Sequence, residues 1–336
     1  MISVVVTCYN EESYIEQALN SVVVQTGWEH ITEVIVVDDG SEDNSRDLIK
    51  DFAARYNEIV YIFESNQGVS GSKNAGIKAS TNNWIAFLDG DDRWQPEKIQ
   101  RQVDFILAHS EVGLVYTDYY TKKESGEKIP MIASHYTYDQ EEDYVLKSLF
   151  ITGGPIFPST TLVRKDCLES VGYFNPKYIR SQDFDLALRI AARYPIHHIP
   201  EYLTVKNEKP DSFSADVPKA AKDQRRIVDQ IVKDYPQLEP LRREKLARIE
   251  ISKGYYNLIR DKKFKARSSL QRAIKKSKLI PKAWIYLFIS YIPFLDSSKV
   301  VSFVKKPWRL LTRLIGFYFN VKQKTKEKSE VNDGIR

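Results

Sequence analysis

Three carboxylates, Asp89, Asp91 and Asp92, follow directly on the apolar run Trp84-Ile-Ala-Phe-Leu88. The run reads as a buried strand, and acids crowded at its end repel one another unless positive charge lies among them. A hard divalent cation, Mn²⁺ or Mg²⁺, suits that place because it takes oxygen ligands and bridges to phosphates. A second run, Val34–Val37, ends in Asp38-Asp39-Gly40-Ser41. Two acidic strand ends in one α/β sheet describe a site for a nucleotide and a metal ion. Lys73 could meet a phosphate there, with a solvated lysine at a helix start as the plainer reading.

The elements that must position these acids alternate through the first 117 residues. Ile2–Thr7 is a β-branched run. Ser13-Tyr-Ile-Glu16 has the form of a capping box, and Ile15, Ala18, Leu19 and Val22 recur behind it at helical spacing. Glu33–Val37 reads as a second strand, Leu48 to Tyr56 as a helix and Val60–Glu64 as a third strand. A helix near Ser70–Ala79, the strand Trp84–Leu88, a helix opened by Pro96 and a strand Val112–Thr117 complete the series. Such alternation predicts an α/β fold with a mostly parallel sheet flanked by helices, whose ligands bind at the carboxyl ends of the strands.

The middle of the chain is less regular. It holds Gly153-Gly154-Pro155, a β-like Ser159–Arg164, and a helix after Arg180 that carries Asp183 and Asp185. His197 and His198 precede Ile199-Pro200 in an expected strand and read as structural, as does the small apolar Cys8. From about Ser214 onward the pattern is helical and basic. Ile249 to Ala273 is spaced like one helical hairpin of the tetratricopeptide type, and a single unit cannot form a solenoid.

Bulk properties narrow the classes. The 336 residues are 42% apolar, enough for one full α/β domain and a smaller appendage. Two cysteines give neither a disulfide framework nor a zinc spacing and suit a reducing compartment. The net charge of +5 hides a split: residues 1–200 carry −12 and residues 201–336 carry +17. A basic tail on an acidic domain suits an anionic partner such as a phospholipid surface; nucleic acid is not expected, since no binding module is recognisable. The chain opens without a basic, cleavable leader. Its longest apolar stretches, Ala283–Leu295 and Leu310–Phe319, fall short of the roughly 20 residues that span a bilayer. The expected location is therefore cytoplasmic, with peripheral attachment to the inner face of the cell membrane as a further option. Lys305, Lys306, Arg309 and Arg313 interleave with Trp308, Leu310, Leu311, Leu314 and Phe317, as in an interfacial helix; a packed helical subdomain with solvated charges is the alternative.

Five short motifs in order resemble the family 2 glycosyltransferases over residues 1 to about 205. They are Val-Val-Thr-Cys-Tyr-Asn-Glu-Glu (5–12), Val-Val-Asp-Asp-Gly-Ser (36–41), Asn66-Gln-Gly68 with Asn74-Ala-Gly76, Phe-Leu-Asp-Gly-Asp-Asp (87–92), and Gln182-Asp183 within Ser-Gln-Asp-Phe-Asp-Leu-Ala-Leu-Arg (181–189). The resemblance implies a GT-A fold and inverting transfer from a nucleotide-sugar, a UDP-sugar first, to a glycan or lipid-linked acceptor in cell-surface polysaccharide biosynthesis. It implies that Thr7 and Asp39 hold the base with Asp38 beside them. Asp89 and Asp91 would meet the ribose and the metal-bound diphosphate, Asp92 would share the metal, and Asp183 would be the general base. Gln182 stands where the family more often has Glu, which removes a charge beside that base.

The domain organisation expected on this basis is a GT-A catalytic domain at 1–205, with a nucleotide-binding half at 1–117 and an acceptor half at 118–205. A helical basic region at 206–323, with the membrane option above, and a flexible tail at 324–336 would follow. The chemistry stands without the family. Negative charge builds on a departing diphosphate and a cation stabilises it, while one carboxylate removes the proton of the attacking hydroxyl. Asp183 is the first candidate for that carboxylate, with Asp185 and Asp166 as alternatives. Gly68 and Gly76 would let backbone approach a nucleotide closely. A dehydrogenase is disfavoured because no Gly-x-Gly-x-x-Gly follows the first strand. A pyrophosphorylase is disfavoured for want of a Gly-rich basic loop there. The remaining rival is a non-catalytic nucleotide-binding or scaffolding protein on the same fold.

Overall fold

The computed structural model describes residues 1–153, 156–209 and 216–292. The chain divides into two compact units, residues 1–245 and a second unit from Leu246 onward. The first unit begins as a regular alternation: β1 (Ile2–Cys8), α1 (Ile15–Val23), β2 (Ile31–Asp38), α2 (Ser45–Ala53), β3 (Ile59–Phe63), α3 (Gly68–Ala79) and β4 (Trp84–Asp89). Next come β5 (Asp92–Trp94), α4 (Lys98–Ala108), β6 (Leu114–Lys122), β7 (Lys128–Met131) and α5 (Glu142–Thr152). The unit continues with β8 (Thr161–Arg164), α6 (Lys165–Val171), α7 (Gln182–Ala191), β9 (Ile196–Asn207) and α8 (Val217–Asp234).

The strands form one sheet in the order β3-β2-β1-β4-β8-β6-β9-β5, with β7 paired to β6. The expected parallel arrangement holds for β3, β2, β1 and β4. Beyond them β8 runs antiparallel to both β4 and β6, and β5 runs antiparallel to β9, so the rest of the sheet is mixed. The strands β1, β2 and β4 are apolar on both faces because helices cover both. Val4, Val6, Val34, Val36, Ala86 and Leu88 meet Ile15, Ala18, Leu19, Val22 and Ile49 in the main core. Burying each of these valine, leucine and isoleucine side chains stabilises the fold by about 1.5–3 kcal/mol.

Two local expectations change. α1 carries the predicted buried face, but the Ser13–Glu16 capping box does not form. Its start is bonded instead by the backbone, with the Tyr14 and Ile15 N–H groups donating to the Glu11 carbonyl. Gly76 does not face a ligand. A Cβ there would lie 2.3 Å from Val5 Cγ1, so its missing side chain is what lets α3 close on β1. Gly68, at φ +76°, opens α3 in a conformation that strains other residues, and the space beside it is open.

α9 (Glu239–Leu258) crosses the boundary between the two units. Within the second unit the end of α9, α10 (Lys263–Lys276) and α11 (Pro281–Tyr291) share a core of Ile251, Leu258, Ala266, Leu270, Ala273, Ala283, Tyr286 and Ile289. This is the expected hairpin with one further helix. Gly254 lies against Leu270, where a Cβ would come within 2.6 Å of Cγ. The amphipathic stretch predicted over 300–319 and the tail at 324–336 lie outside the described residues. Among the described residues no helix is long and apolar enough to cross a membrane.

Gly76→Ala should force a clash with Val5 and cost about 1–3 kcal/mol, read as a lower urea midpoint. An unchanged midpoint would show that α3 can move off β1 freely.

Candidate active site

Register sets the site. Thr7 pairs with both Val37 and Asp89, and Cys8 pairs with Asp38, so the acidic ends of β2 and β4 flank the end of β1. The Gly90 N–H donates to the Thr7 carbonyl, and the Thr7 hydroxyl donates to Asp89 Oδ1 at 3.1 Å.

Each acid then finds its own partner. Asp39 caps α3: the Gln67 and Gly68 N–H groups donate to its two oxygens at 2.7 and 2.8 Å. This places it where backbone donors and the start of a helix favour an anion. Asp38, fully buried, accepts from the Ser41 N–H and the Tyr61 hydroxyl. It thus holds the turn after β2 and has no exposed surface toward a ligand. Lys73 is neither solvated nor open to a phosphate. It is 1% exposed and its ammonium lies 2.5 Å from Asp89 Oδ1. Burial would raise the Asp89 pKa, but Lys73 outweighs burial and holds it below the ordinary value. The lysine expected at a phosphate is therefore the counter-ion of the first acid of the loop. Asn74, from the same motif, donates to the Phe174 carbonyl and accepts from the Phe174 N–H, clamping α3 to the segment before α7.

One hydroxyl organises the rest of the acidic loop. Ser159 Oγ accepts from the Asp89 N–H at 3.1 Å and donates to Asp92 Oδ2 at 2.7 Å. Asp92 is buried and its Oδ1 has no hydrogen-bond partner. Burial, then the neighbouring Asp91, pushes its pKa up to about 8.

Asp91 points the other way, toward a lysine that sequence reasoning left outside the site. Lys209 Nζ lies 3.0 Å from Asp91 Oδ2 and 2.5 Å from Glu11 Oε2. Burial, then Asp91, raises the Glu11 pKa to about 7. Lys206 joins them because β5 pairs with β9 in a register that sets Asp92 opposite Lys206. Burial alone would lower the Lys206 pKa, yet Asp92, Asp89, Asp91 and Asp183 together hold it above the ordinary value. β9 runs on to Asn207, past the expected domain boundary at 205, so the expected basic region from 206 takes in Lys206 and, two residues beyond the strand, Lys209. No local signal marks either lysine, because the pairing of β5 with β9 that brings them to the acids is a matter of sheet register.

Asp183 sits in the first turn of α7. It lines a small apolar cavity with Phe87, Ile156, Phe174, Leu186 and Ala187. Burial raises its pKa, partly offset by the Phe184 N–H that donates to Oδ1. The alternatives are engaged elsewhere: Asp185 pairs with Arg189, and Asp166 with Arg164. Gln182 Oε1 is buried without a partner. His198 is buried between Asp118 and His135, within hydrogen-bond distance of each. His197 stacks on Phe105, and burial lowers its pKa to about 3. Both histidines hold β9 to its surroundings, in keeping with a structural role.

Among the described residues no three His, Cys, Asp or Glu side chains converge to close a metal site by themselves. Asp91 and Glu11 nevertheless share an ammonium between them, and Asp92 keeps an unpartnered oxygen. An all-oxygen acidic set around a stand-in cation fits a hard divalent ion whose coordination is completed by ligand oxygens.

Comparison with known proteins identifies the architecture. The family model for Glycosyl transferase family 2 matches residues 3–172, half of the chain. The chain belongs to glycosyltransferase family 2. An uncharacterized glycosyltransferase of Nostoc sp. (alr2836) is 43% identical over 116 residues, covering 34% of this chain and 35% of that protein. TuaG of Bacillus subtilis, whose name associates it with teichuronic acid biosynthesis, is 32% identical over 113 residues, or 33% of this chain and 43% of TuaG. The chain spans about a third to a half of the length of the first of its curated relatives. Among solved structures, S. aureus TarS 1-349 in complex with UDP-GlcNAc superposes with a TM-score of 0.60 at 18% identity, covering 86% of this chain and 89% of that one. The mannosyltransferase PcManGT of Pyrobaculum calidifontis, with GDP-Man and Mn²⁺, gives 0.59 at 18% identity over 93% and 83%. The family 2 chain thus has the GT-A fold.

Lys73→Met should leave Asp89 uncompensated and cost about 3 kcal/mol at neutral pH. The low Asp89 pKa contributes stability above its ordinary value, and that contribution is lost as pH falls through the folded value. The gap between wild type and variant should therefore close toward acid pH in denaturant titrations; a gap that is the same at every pH would contradict the pairing.

Proposed function

We propose that this family 2 chain is an inverting glycosyltransferase that moves a sugar from a nucleotide-sugar, a UDP-sugar first, to a hydroxyl of a glycan or lipid-linked acceptor. One observation carries the reading. Asp183 lines a cavity with Phe87 and Pro158, the chain neighbours of the strand end at Asp89 and of the Ser159 that bonds both Asp89 and Asp92, which supports reading the acidic loop and the candidate base as one site. The nucleotide-sugars in the TarS and PcManGT structures support the donor class, and the Mn²⁺ in PcManGT supports a divalent cation. The name of TuaG supports a place in cell-surface polysaccharide biosynthesis.

In this reading Thr7, Asp39 and the start of α3 receive the nucleoside, and Asp89, fixed by Lys73 and Ser159, meets the ribose. Asp91, with Asp92 and Glu11 behind it, would hold Mn²⁺ or Mg²⁺, which would supply Lewis-acid stabilisation to a leaving diphosphate. The acceptor oxygen attacks the anomeric carbon from the face opposite the diphosphate and gives its proton to the Asp183 carboxylate. The anomeric C–O bond to the diphosphate breaks as the new C–O bond forms, and the electron pair leaves with the diphosphate. Lys206 stands beside that developing charge. The apolar lining of the cavity raises the basicity of Asp183, which suits a general base.

Peripheral attachment to an anionic membrane on the cytoplasmic side belongs to the same proposal. Trp284, Phe288 and Tyr291 are half or more exposed at i, i+4 and i+7 on α11, with Lys275, Lys276 and Lys278 shortly before it. Trp284→Ser with Phe288→Ser should reduce sedimentation with anionic vesicles about tenfold relative to wild type. Equal sedimentation would remove α11 from that role.

The deciding experiment is a thermal-shift series with UDP, GDP and their sugars, each with and without Mn²⁺. A nucleotide that binds the native state must raise the melting temperature. Asp183→Asn should keep that shift and lose transfer by about 10²-fold or more. Because Asp183 must be ionised to accept a proton and its pKa is raised, wild-type turnover should fall on the acid side at a pH above the ordinary aspartate value. Wild-type turnover in Asp183→Asn would take the base role from Asp183, and no shift with any nucleotide would defeat the transferase reading.

A further inference from the structure

We propose that Lys209 is a tethered counter-cation that occupies the place of the divalent ion until a nucleotide diphosphate arrives. The inference rests on the reading that donor and divalent ion bind at Asp91. Glu11 leaves the end of β1 and Asp91 leaves the end of β4, and Lys209 reaches both from just past β9, at 2.5 and 3.0 Å. Its ammonium also lies 4.7 Å above the Tyr14 ring. The Asn207 side-chain amide donates to the Asp91 carbonyl at 2.6 Å, so the segment leading to Lys209 is bound to the same loop. Glu11, Asp91 and Asp89 crowd one another in a partly buried setting, and an ammonium between two of them offsets the repulsion.

This arrangement has a consequence for metal binding. While Lys209 holds Asp91 Oδ2, that oxygen is shared, and a divalent ion approaching it meets a like charge at contact distance. A diphosphate changes the balance because its oxygens give both the metal and the ammonium new anionic partners. Lys209 can pass from Asp91 to a phosphate oxygen as the ion takes the carboxylate. Metal and nucleotide should therefore bind with positive coupling, and the coupling is reciprocal. Lys206, three residues earlier in β9, stays opposite Asp92 and keeps the loop from an unbalanced negative charge.

The test measures Mn²⁺ affinity directly, by calorimetry or by loss of the free-ion paramagnetic signal, for wild type, Lys209→Met and Lys209→Arg, without and with UDP. Lys209→Met should bind Mn²⁺ about tenfold or more tightly than wild type in the absence of UDP, since a like charge near the site is gone. UDP should then improve its Mn²⁺ affinity less than it improves that of wild type. Lys209→Arg, which keeps the charge, should behave as wild type. Equal or weaker Mn²⁺ binding by Lys209→Met, with both proteins still binding the ion, would overturn the role of Lys209 and leave the metal reading standing. Absence of Mn²⁺ binding in every protein, with and without UDP, would overturn both.

Discussion

Charge balance at the carboxyl ends of three adjacent strands is the constraint on which this site depends. Parallel β1, β2 and β4 bring Asp38, Asp39, Asp89, Asp91 and Asp92 to one edge, and Glu11 follows from β1. Carboxylates this close cannot all stay ionised without donors and cations between them. The structure answers each in turn: backbone N–H groups for Asp39, a tyrosine and a turn for Asp38, a buried lysine for Asp89, and a lysine just past β9 for Asp91. Asp92, left with one serine, shifts its pKa up to about 8.

That balance reaches into the packing. Lys73 can reach Asp89 only because α3 lies close on the sheet, and α3 lies close because Gly76 offers Val5 no side chain. Asn74 fastens the same helix to the backbone at Phe174, whose ring meets Phe87 edge-on beside the Asp183 cavity. Ser159 ties the acidic loop to the segment entering β8. A core made of β-branched strands and close-packed helices thereby fixes the directions in which the carboxylates point, the preorganisation that electrostatic catalysis needs.

The two halves of the sheet divide the work. The parallel half carries the acids at its strand ends and the backbone donors that meet them. The mixed half returns two lysines to those acids through β9 and supplies an apolar wall around the candidate base. Antiparallel β5 closes the loop between the halves, since it begins at Asp92 and pairs with the strand that carries Lys206.

The alternation of strands and helices, the carboxylate-bearing strand ends and the helix start at Asp183 were legible in the sequence because they follow from periodicity and local chemistry. The short motifs were legible too, but the work of their residues was not. Lys73 and Gly76 looked like ligand contacts, and folding made one a buried counter-ion and the other a packing gap. Asp38 looked like part of the nucleotide site and became the anchor of a turn. Lys206, Lys209 and Glu11 could not be placed, because partners some 80 to 200 positions apart meet only through strand order and register. Sequence determined which charges this protein carries and near which elements they stand. Tertiary structure alone decided which charges face one another, since the energy of a charge depends on its burial and on neighbours distant along the chain.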